Sequence, residues 1–323
     1  MKIGIPRSMT YFWFYPFWKT YFDYLKIETI VSPPTNKEIL NAGLKLAVDE
    51  ACLPIKIFLG HVDYLINKAD FIFIPGIKST EPKRYYCPQI IALPETTMMA
   101  FDKKIFLTPE INSHSKDLKW KDDYRDFALK LGYDHATAKE AVEKACASFN
   151  KTQNTDQNTD DNQCYETTAD TLKIALVGHP YLVNDPFVNF DIKNKLIQHG
   201  AVIKTPQELS PEQVDNNTTL LKKDLFWSYQ RNMVAAPNHY SKDDIVDGFI
   251  FLSTFGCGTN AIIEPYILTG AKKLPFVTIT LDEHTSPTGI QTRLEAFLDM
   301  VVRYKEVQNE SSISLDGALA YRS

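Results

Sequence analysis

The sequence predicts an α/β protein of two Rossmann-like open parallel-sheet domains with a cleft between them. Three observations carry that expectation. Short continuous apolar runs, such as residues 71–74 and 248–252, read as strands buried on both faces. These runs alternate with stretches whose apolar residues recur at helical spacing, and alternating βα units of this length imply parallel sheets covered on both sides. The length of 323 residues corresponds to about two compact domains, at roughly 100–200 residues each.

In the first half, residues 2–5 read as a strand, and Ser8 is placed to cap an aromatic-rich helix running to about Leu25. Residues 28–32 form the next strand. Residues 36–49 and 54–66 carry helical periodicity, with Pro54 at a first helical position. A strand at 71–74, a helix at 88–99 broken near Pro94, and a strand at 105–108 follow, then charged helices at about 116–131 and 136–149. The second half repeats the theme. Strands are expected at 172–177, 201–205, 248–252 and 276–281, and helices at 186–199, 220–235, 260–268 and 289–304. The last is amphipathic, with Leu294, Phe297, Leu298 and Val301 on one face. Residues 148–170 are polar, repeat a Q-N-T-D phrase and are nearly devoid of large apolar side chains, so a linker or disordered loop is expected there. The expected division is therefore 1–147, a linker at 148–170, a second domain at 171–307 and a frayed tail at 308–323.

Charge and motifs exclude several classes. Lys+Arg 35 against Asp+Glu 40 gives a net charge of −5, so no overall field draws the chain to nucleic acid or acidic lipid. The greasiest segment, residues 9–18, is far short of the roughly 20 residues that span a bilayer. The opening MKIGIPRSM lacks the apolar core of a secretory signal, and a cytoplasmic location is expected. The first βα turns read GIPRSM and GHPYLV rather than G-x-G-x-x-G, which argues against a dinucleotide site. P-loop, H-E-x-x-H, G-x-S-x-G and C-x-x-C patterns are absent too.

The chemistry therefore turns on five cysteines, which in a reducing compartment are not expected to form structural disulfides. Cys52 in DEACLPIK, Cys87 in YYCPQ and Cys257 in FGCGTN each fall at a loop-to-helix junction, where free N–H groups and the dipole favour thiolate over thiol. Three soft thiolates suit an iron–sulfur cluster, and three ligands to a [4Fe–4S] cluster leave one iron open. Two other readings stand beside it. Lone cysteines are commonly just buried, and a zinc ion could take a fourth ligand from His61, His179 or His284. Cys146 lies in a helical pattern and is expected to be packing, while Cys164 falls in the polar linker.

The stretches SPPTNKEILNAGLKLAVDEACLPIKIFLGHV, IPGIKSTEPKRYYCPQ, FLSTFGCGTNAIIEPYI and TITLDEHTSPTGIQTRLEAFLDM resemble a stand-alone family related to the D-component of 2-hydroxyacyl-CoA dehydratases, also described as acyl-CoA dehydratase activase-related proteins. The likeness runs from residue 1 to about 305, apart from the linker. It implies Rossmann-like domains, with Cys52, Cys87 and Cys257 holding a [4Fe–4S] cluster that faces a CoA thioester. It also implies an ATP-dependent iron–sulfur activator as partner, injecting one electron so that a ketyl radical eliminates water. The sequence departs from the family's pattern at two places. It has FGCGTN for FGCGPD and GHPY for GRPY, which puts Thr259 and His179 where a proline and an arginine are usual. The substrate is left open by those departures. Radical dehydration or reduction of an acyl-CoA or similar small molecule is the first functional expectation. An electron-relay or accessory subunit is the alternative, and a zinc-stabilised binding protein is a third.

Other polar residues occupy places where α/β sites form. Glu283 and His284, after the strand at 276–281, are candidates to move protons, and Thr292 and Arg293 are candidates to grip a phosphate or carboxylate. The plainer alternative for them is a capping and inter-domain hydrogen-bond network. Lys56, one turn after Cys52, reads as a solvated side chain. The run Tyr11, Phe12, Trp13, Phe14, Tyr15, Phe17 and Trp18 reads as core, or equally as the surface of a homodimer.

Overall fold

The computed structural model describes residues 1–101, 105–115, 119–158, 171–218, 223–242, 245–272 and 274–320, with side chains described up to 152 and up to 308 in the segments that end at 158 and 320. The first half runs β1 (Lys2–Ile5), α1 (Tyr11–Tyr24), β2 (Glu28–Val31), α2 (Lys37–Leu46), α3 (Leu53–Leu65), β3 (Phe71–Phe73), β4 (Gly76–Ser79), α4 (Pro88–Ile91), α5 (Leu93–Ala100), β5 (Phe106–Leu107), β6 (Glu110–Asn112), α6 (Trp120–Lys130) and α7 (His135–Asn158). The second half runs β7 (Lys173–Val177), α8 (Pro180–Val183), α9 (Ile192–Gln198), β8 (Val202–Lys204), α10 (Pro211–Asn217), α11 (Ser228–Tyr240), β9 (Gly248–Thr254), α12 (Gly258–Ala271), β10 (Phe276–Leu281) and α13 (Pro287–Ala320).

Two four-stranded parallel sheets result, in the orders β2-β1-β3-β5 and β10-β9-β7-β8. The expected α/β class with open parallel sheets is therefore what the chain adopts. Parallel neighbours cannot be joined by tight turns, so helices fill the crossovers. Every residue of β9 is buried, as a central strand covered on both faces requires. From β7 the chain crosses to β8 on one side, and from β9 to β10 on the other. The carboxyl ends of β7 and β9 thus flank a topological switch point, where open α/β sheets place their ligands.

Side chains from both sheets, among them Ile5, Phe73, Leu176 and Phe251, belong to one contiguous apolar core. The aromatic run lies in it. Phe14, Phe17 and Trp18 are buried, and Tyr11, Phe12, Trp13 and Tyr15 pack against the same core. Trp18 Nε1 and the Tyr21 hydroxyl each donate at 2.7 Å to Tyr124, at its hydroxyl and its carbonyl respectively. Cys146 is buried as packing, as expected; Cys164 lies outside the described residues.

The backbones of α2 and α3 touch. A Cβ on Gly43 would stand 1.7 Å from the Lys56 carbonyl oxygen, and one on Gly60 would stand 1.9 Å from that of Ile39. Only glycine allows that approach, which seats α3, with Cys52 at its start, against α2.

Several boundaries differ from expectation. Thr10, not Ser8, precedes α1, because Met9 takes a left-handed φ of 53° and displaces the start. The helix expected at 186–199 begins only at Ile192. Asp185 takes the Phe187 and Val188 amides into a turn, and Phe190 and Asp191 are left-handed. The helix expected from 220 begins at Ser228, and residues 219–222 lie outside the described residues. The paired strands β4 and β6, and α10, were not anticipated. α7 continues to Asn158, through the first part of the expected linker, whose residues 159–170 are outside the described residues. α13 continues to Ala320, through most of the expected tail. Among the described residues no helix is long and apolar enough to cross a membrane.

Candidate functional site

Cys52, Cys87 and Cys257 are the N-cap residues of α3, α4 and α12, all half-buried with free thiols. The first two caps share one backbone shape, with φ/ψ of −64°/150° and −66°/154°, each followed by a proline in the first helical turn. A proline there forfeits an amide the helix does not use. The Ile55 and Ile90 amides close the first helical turns on the carbonyl oxygens of Cys52 and Cys87 at 3.0 Å, and their nearness favours the charged form of each thiol.

The three cysteines, widely separated along the chain, lie within reach of one another's fields. The loop before Cys257 lies on the loop before Cys52, since a Cβ on Gly256 (φ 76°) would sit 3.5 Å from the Glu50 carbonyl. The loop before Cys87 is stitched to the start of α11, with the Tyr85 amide 2.6 Å from the Phe226 carbonyl and the Ser228 amide 2.9 Å from the Tyr85 carbonyl. The field of Cys257 reaches Cys52, and those of Cys52 and Cys257 reach Cys87. Tyr181, buried in α8, feels all three.

Burial pushes the Cys52 thiol up to about 11 and the Cys87 thiol up to about 12; the amides pull downward and the neighbouring cysteines push further up. The expectation that helix starts hold these residues as thiolates is corrected for these two, because desolvation outweighs the amide donors.

A buried hydrogen-bond chain ends on Cys257. Gln230 Nε2 lies 2.9 Å from His179 Nε2 and 2.7 Å from Thr259 Oγ1, which lies 3.5 Å from Cys257 Sγ. The two positions that depart from the family's pattern therefore meet on one amide. His179 caps α8 just beyond β7, and its ring stacks on Tyr181 with centroids 4.8 Å apart. Burial pushes its imidazole down to about 3, so it is neutral. Nδ1 of His179 and the hydroxyl of Tyr229, whose rings meet edge-to-face at 5.8 Å, are both buried without a partner.

Lys56 is 4% exposed rather than solvated. Its Nζ lies 2.6 Å from Glu283 Oε1 and 2.9 Å from the Asp49 carbonyl, joining α3 to the loop after β10. Burial alone would raise the Glu283 carboxyl, but the hydrogen bond and charge of Lys56 prevail and hold it below the usual range. Glu283 is thereby an ionised bridge rather than a proton donor. His284, Thr292 and Arg293 are exposed, and among the described residues no hydrogen bond or ion pair joins them to the cysteine group.

His61 is fully buried with both ring nitrogens engaged, by Ser32 at 2.8 Å and Thr35 at 3.0 Å, and Thr35 donates to Asp185 at 2.5 Å. The Thr35–Asp185 bond ties the two halves together, and His61 has no nitrogen to offer a metal. Among the described residues no set of three or more His, Cys, Asp and Glu side chains is arranged to hold a metal ion. Tyr181, Tyr229 and Gln230 escaped sequence reasoning. Only the Tyr181 position beside His179 in GHPY hinted at a role.

Fold and site together define an α/β protein with three half-buried thiols within one another's fields, one of them just past β9 at a sheet's switch point. The chain belongs to the family described as CoA enzyme activase uncharacterised domain (DUF2229), whose model matches residues 2–209. Cys52 and Cys87 fall within that match and Cys257 beyond it. The family places the chain broadly in the CoA-enzyme activation system. No curated protein matches the chain. Among solved structures, the SBP FpvC in complex with Ni2+ from P. aeruginosa is 13% identical over 94% of this chain and 96% of its own, with a TM-score of 0.29, too low to bear on fold or ligand.

Proposed function

We propose that Cys52, Cys87 and Cys257 hold an iron–sulfur cluster, and that the protein performs low-potential dehydration or reduction of an acyl-CoA or similar small molecule. This follows the 2-hydroxyacyl-CoA dehydratases, whose D-component the sequence resembles. The observation that carries the reading is three half-buried thiols within one another's fields, two of them pushed well up by burial. Ionised together they repel one another in a poorly solvated place, and a multivalent cationic centre relieves both costs. A zinc ion gathers its ligands around one point, with sulfurs about 2.3 Å from the metal. A cluster spreads its cysteines over several corners, which suits thiols that sense one another without converging on a point.

When bound, a [4Fe–4S] cluster with three protein ligands supplies single-electron reduction and leaves one iron open to water or substrate. The chain's own residues prepare that place. Lys56 offsets negative charge at Cys52, and Tyr229 O–H and His179 Nδ1–H offer buried hydrogens to an acceptor such as a sulfide or a substrate oxygen. In this reading residues 1–147 and 171–307 are two domains with the site between them, and an ATP-dependent iron–sulfur activator delivers the electron.

A second reading, an electron relay or accessory subunit, is favoured by the outward placement of His284, Thr292 and Arg293, which leaves substrate recognition without its expected side chains.

Anaerobic reconstitution with iron and sulfide, followed by metal counts and EPR, tests the cluster. Cys52→Ala, Cys87→Ala and Cys257→Ala each lose most of the bound iron; wild-type protein that takes up none refutes the reading. Reduction by an activator with ATP, measured with and without acyl-CoA turnover, separates enzyme from relay.

A further inference from the structure

We propose that Thr259 donates its hydroxyl hydrogen to the Cys257 sulfur, and that Gln230 and His179 hold the hydroxyl in that direction, making Cys257 electronically distinct from Cys52 and Cys87. The inference rests on the cluster reading above.

The argument is an accounting of hydrogens. Nε2 of Gln230 is only a donor, and its two hydrogens are taken by His179 Nε2 at 2.9 Å and Thr259 Oγ1 at 2.7 Å. Thr259 Oγ1 thus accepts from the amide and keeps one hydrogen of its own. The acceptor within reach is Cys257 Sγ at 3.5 Å, a normal separation for a sulfur acceptor. His179 accepts at Nε2, which puts its proton on Nδ1 and stops the amide from turning over. His179 and Gln230 are each 1% exposed and Thr259 9%, so bulk water does not compete for these bonds. Among the described residues no side-chain hydroxyl is hydrogen-bonded to the Cys52 or Cys87 sulfur, and the Ile55 and Ile90 amides at those caps go to the cysteines' own carbonyls. The hydrogen-bond chain also bridges the switch point, from His179 just past β7 to Cys257 just past β9.

A hydrogen bond to a cluster sulfur withdraws electron density and stabilises the more negative, reduced state. Thr259, Gln230 and His179 are therefore positioning residues that raise the reduction potential.

Full-length wild type, Thr259→Val, Thr259→Ser and Gln230→Glu are reconstituted anaerobically, assayed for iron and sulfide, then titrated by EPR-monitored redox potentiometry. Thr259→Val keeps wild-type iron, but its reduced-to-oxidised ratio at a fixed potential falls roughly tenfold, equivalent to ~59 mV for one electron. Thr259→Ser restores the wild-type value. Gln230→Glu, which offers Thr259 an acceptor in place of a donor, shifts the potential in the same direction as Thr259→Val. Full iron with an unchanged potential in Thr259→Val overturns the inference while leaving the cluster intact, as does a Thr259→Ser shift as large as that of Thr259→Val. Wild-type protein that binds no iron overturns the cluster reading and this inference with it.

Discussion

Lys56→Met removes a buried charge while keeping an unbranched stem of similar length. The ammonium side chain is 5% exposed and its partner Glu283 20% exposed, at 2.6 Å. Deleting one member of a fully buried pair costs about 3–5 kcal/mol, and the partial access of Glu283 to water brings this to about 2 kcal/mol. The Asp49 carbonyl loses a charged donor at 2.9 Å, a further ~1 kcal/mol. Methionine fills the space, so no cavity term is added, and the total of about 3 kcal/mol is roughly 150-fold in the folded-to-unfolded ratio. Urea unfolding followed by tryptophan fluorescence reads it. The effect depends on pH with a defined sign. Because Lys56 holds the Glu283 carboxyl below its ordinary 4.5, the pair's contribution is full above that value and is lost as pH falls through the lower folded value. The gap between wild type and variant therefore narrows in acid. A double variant with Glu283→Gln loses less than the sum of the two single losses. A Lys56→Met loss under 0.5 kcal/mol at neutral pH, or strict additivity with Glu283→Gln, refutes the reasoning.

Gly43→Ala forces a Cβ into the Lys56 carbonyl, so α2 and α3 must part; a loss of about 3 kcal/mol in urea unfolding is expected, against under 0.5 for an exposed helical position such as Lys45→Ala. Tyr229→Phe deletes a buried hydroxyl with no partner and stabilises the metal-free protein by about 1 kcal/mol in thermal unfolding, while the reconstituted form gains less or nothing. Iron-loaded protein unfolds at higher urea than the metal-free form, and a chelator reverses the difference, because a centre bound by the folded chain adds its binding free energy to folding; the thiols that burial holds protonated release their protons on binding, so the difference grows with pH.

The sheets were readable because their cue is local: a short apolar run, such as FIFL within β9, needs no distant information. The short strands β4 and β6 were not, since GIKS and EIN carry no such run and pair only through tertiary placement. Sequence context singled out Cys52, Cys87 and Cys257, and the structure gathers those three. It did not tell their protonation, because burial is a property of the assembled neighbourhood. Lys56 shows the limit best. Beside Asp49 and Glu50 a lysine reads as solvated, and only Glu283, far along the chain, makes its burial tolerable. The same distance hid Gln230, an unremarkable glutamine until His179 and Thr259 arrive on either side of it.

The stitching of the Cys87 loop to the start of α11, and of the Cys52 loop to that of Cys257, has a consequence for the order of events during synthesis. Cys52 and Cys87 leave the ribosome long before Cys257, and at about 5–20 residues per second the gap lasts roughly 10–30 s. Through that interval two thiols wait without the loops that will cover them. On the proposed cluster reading, assembly waits for completion of the chain: a product truncated before Cys257 carries two of the three thiols, and those stay without the loop that would cover them.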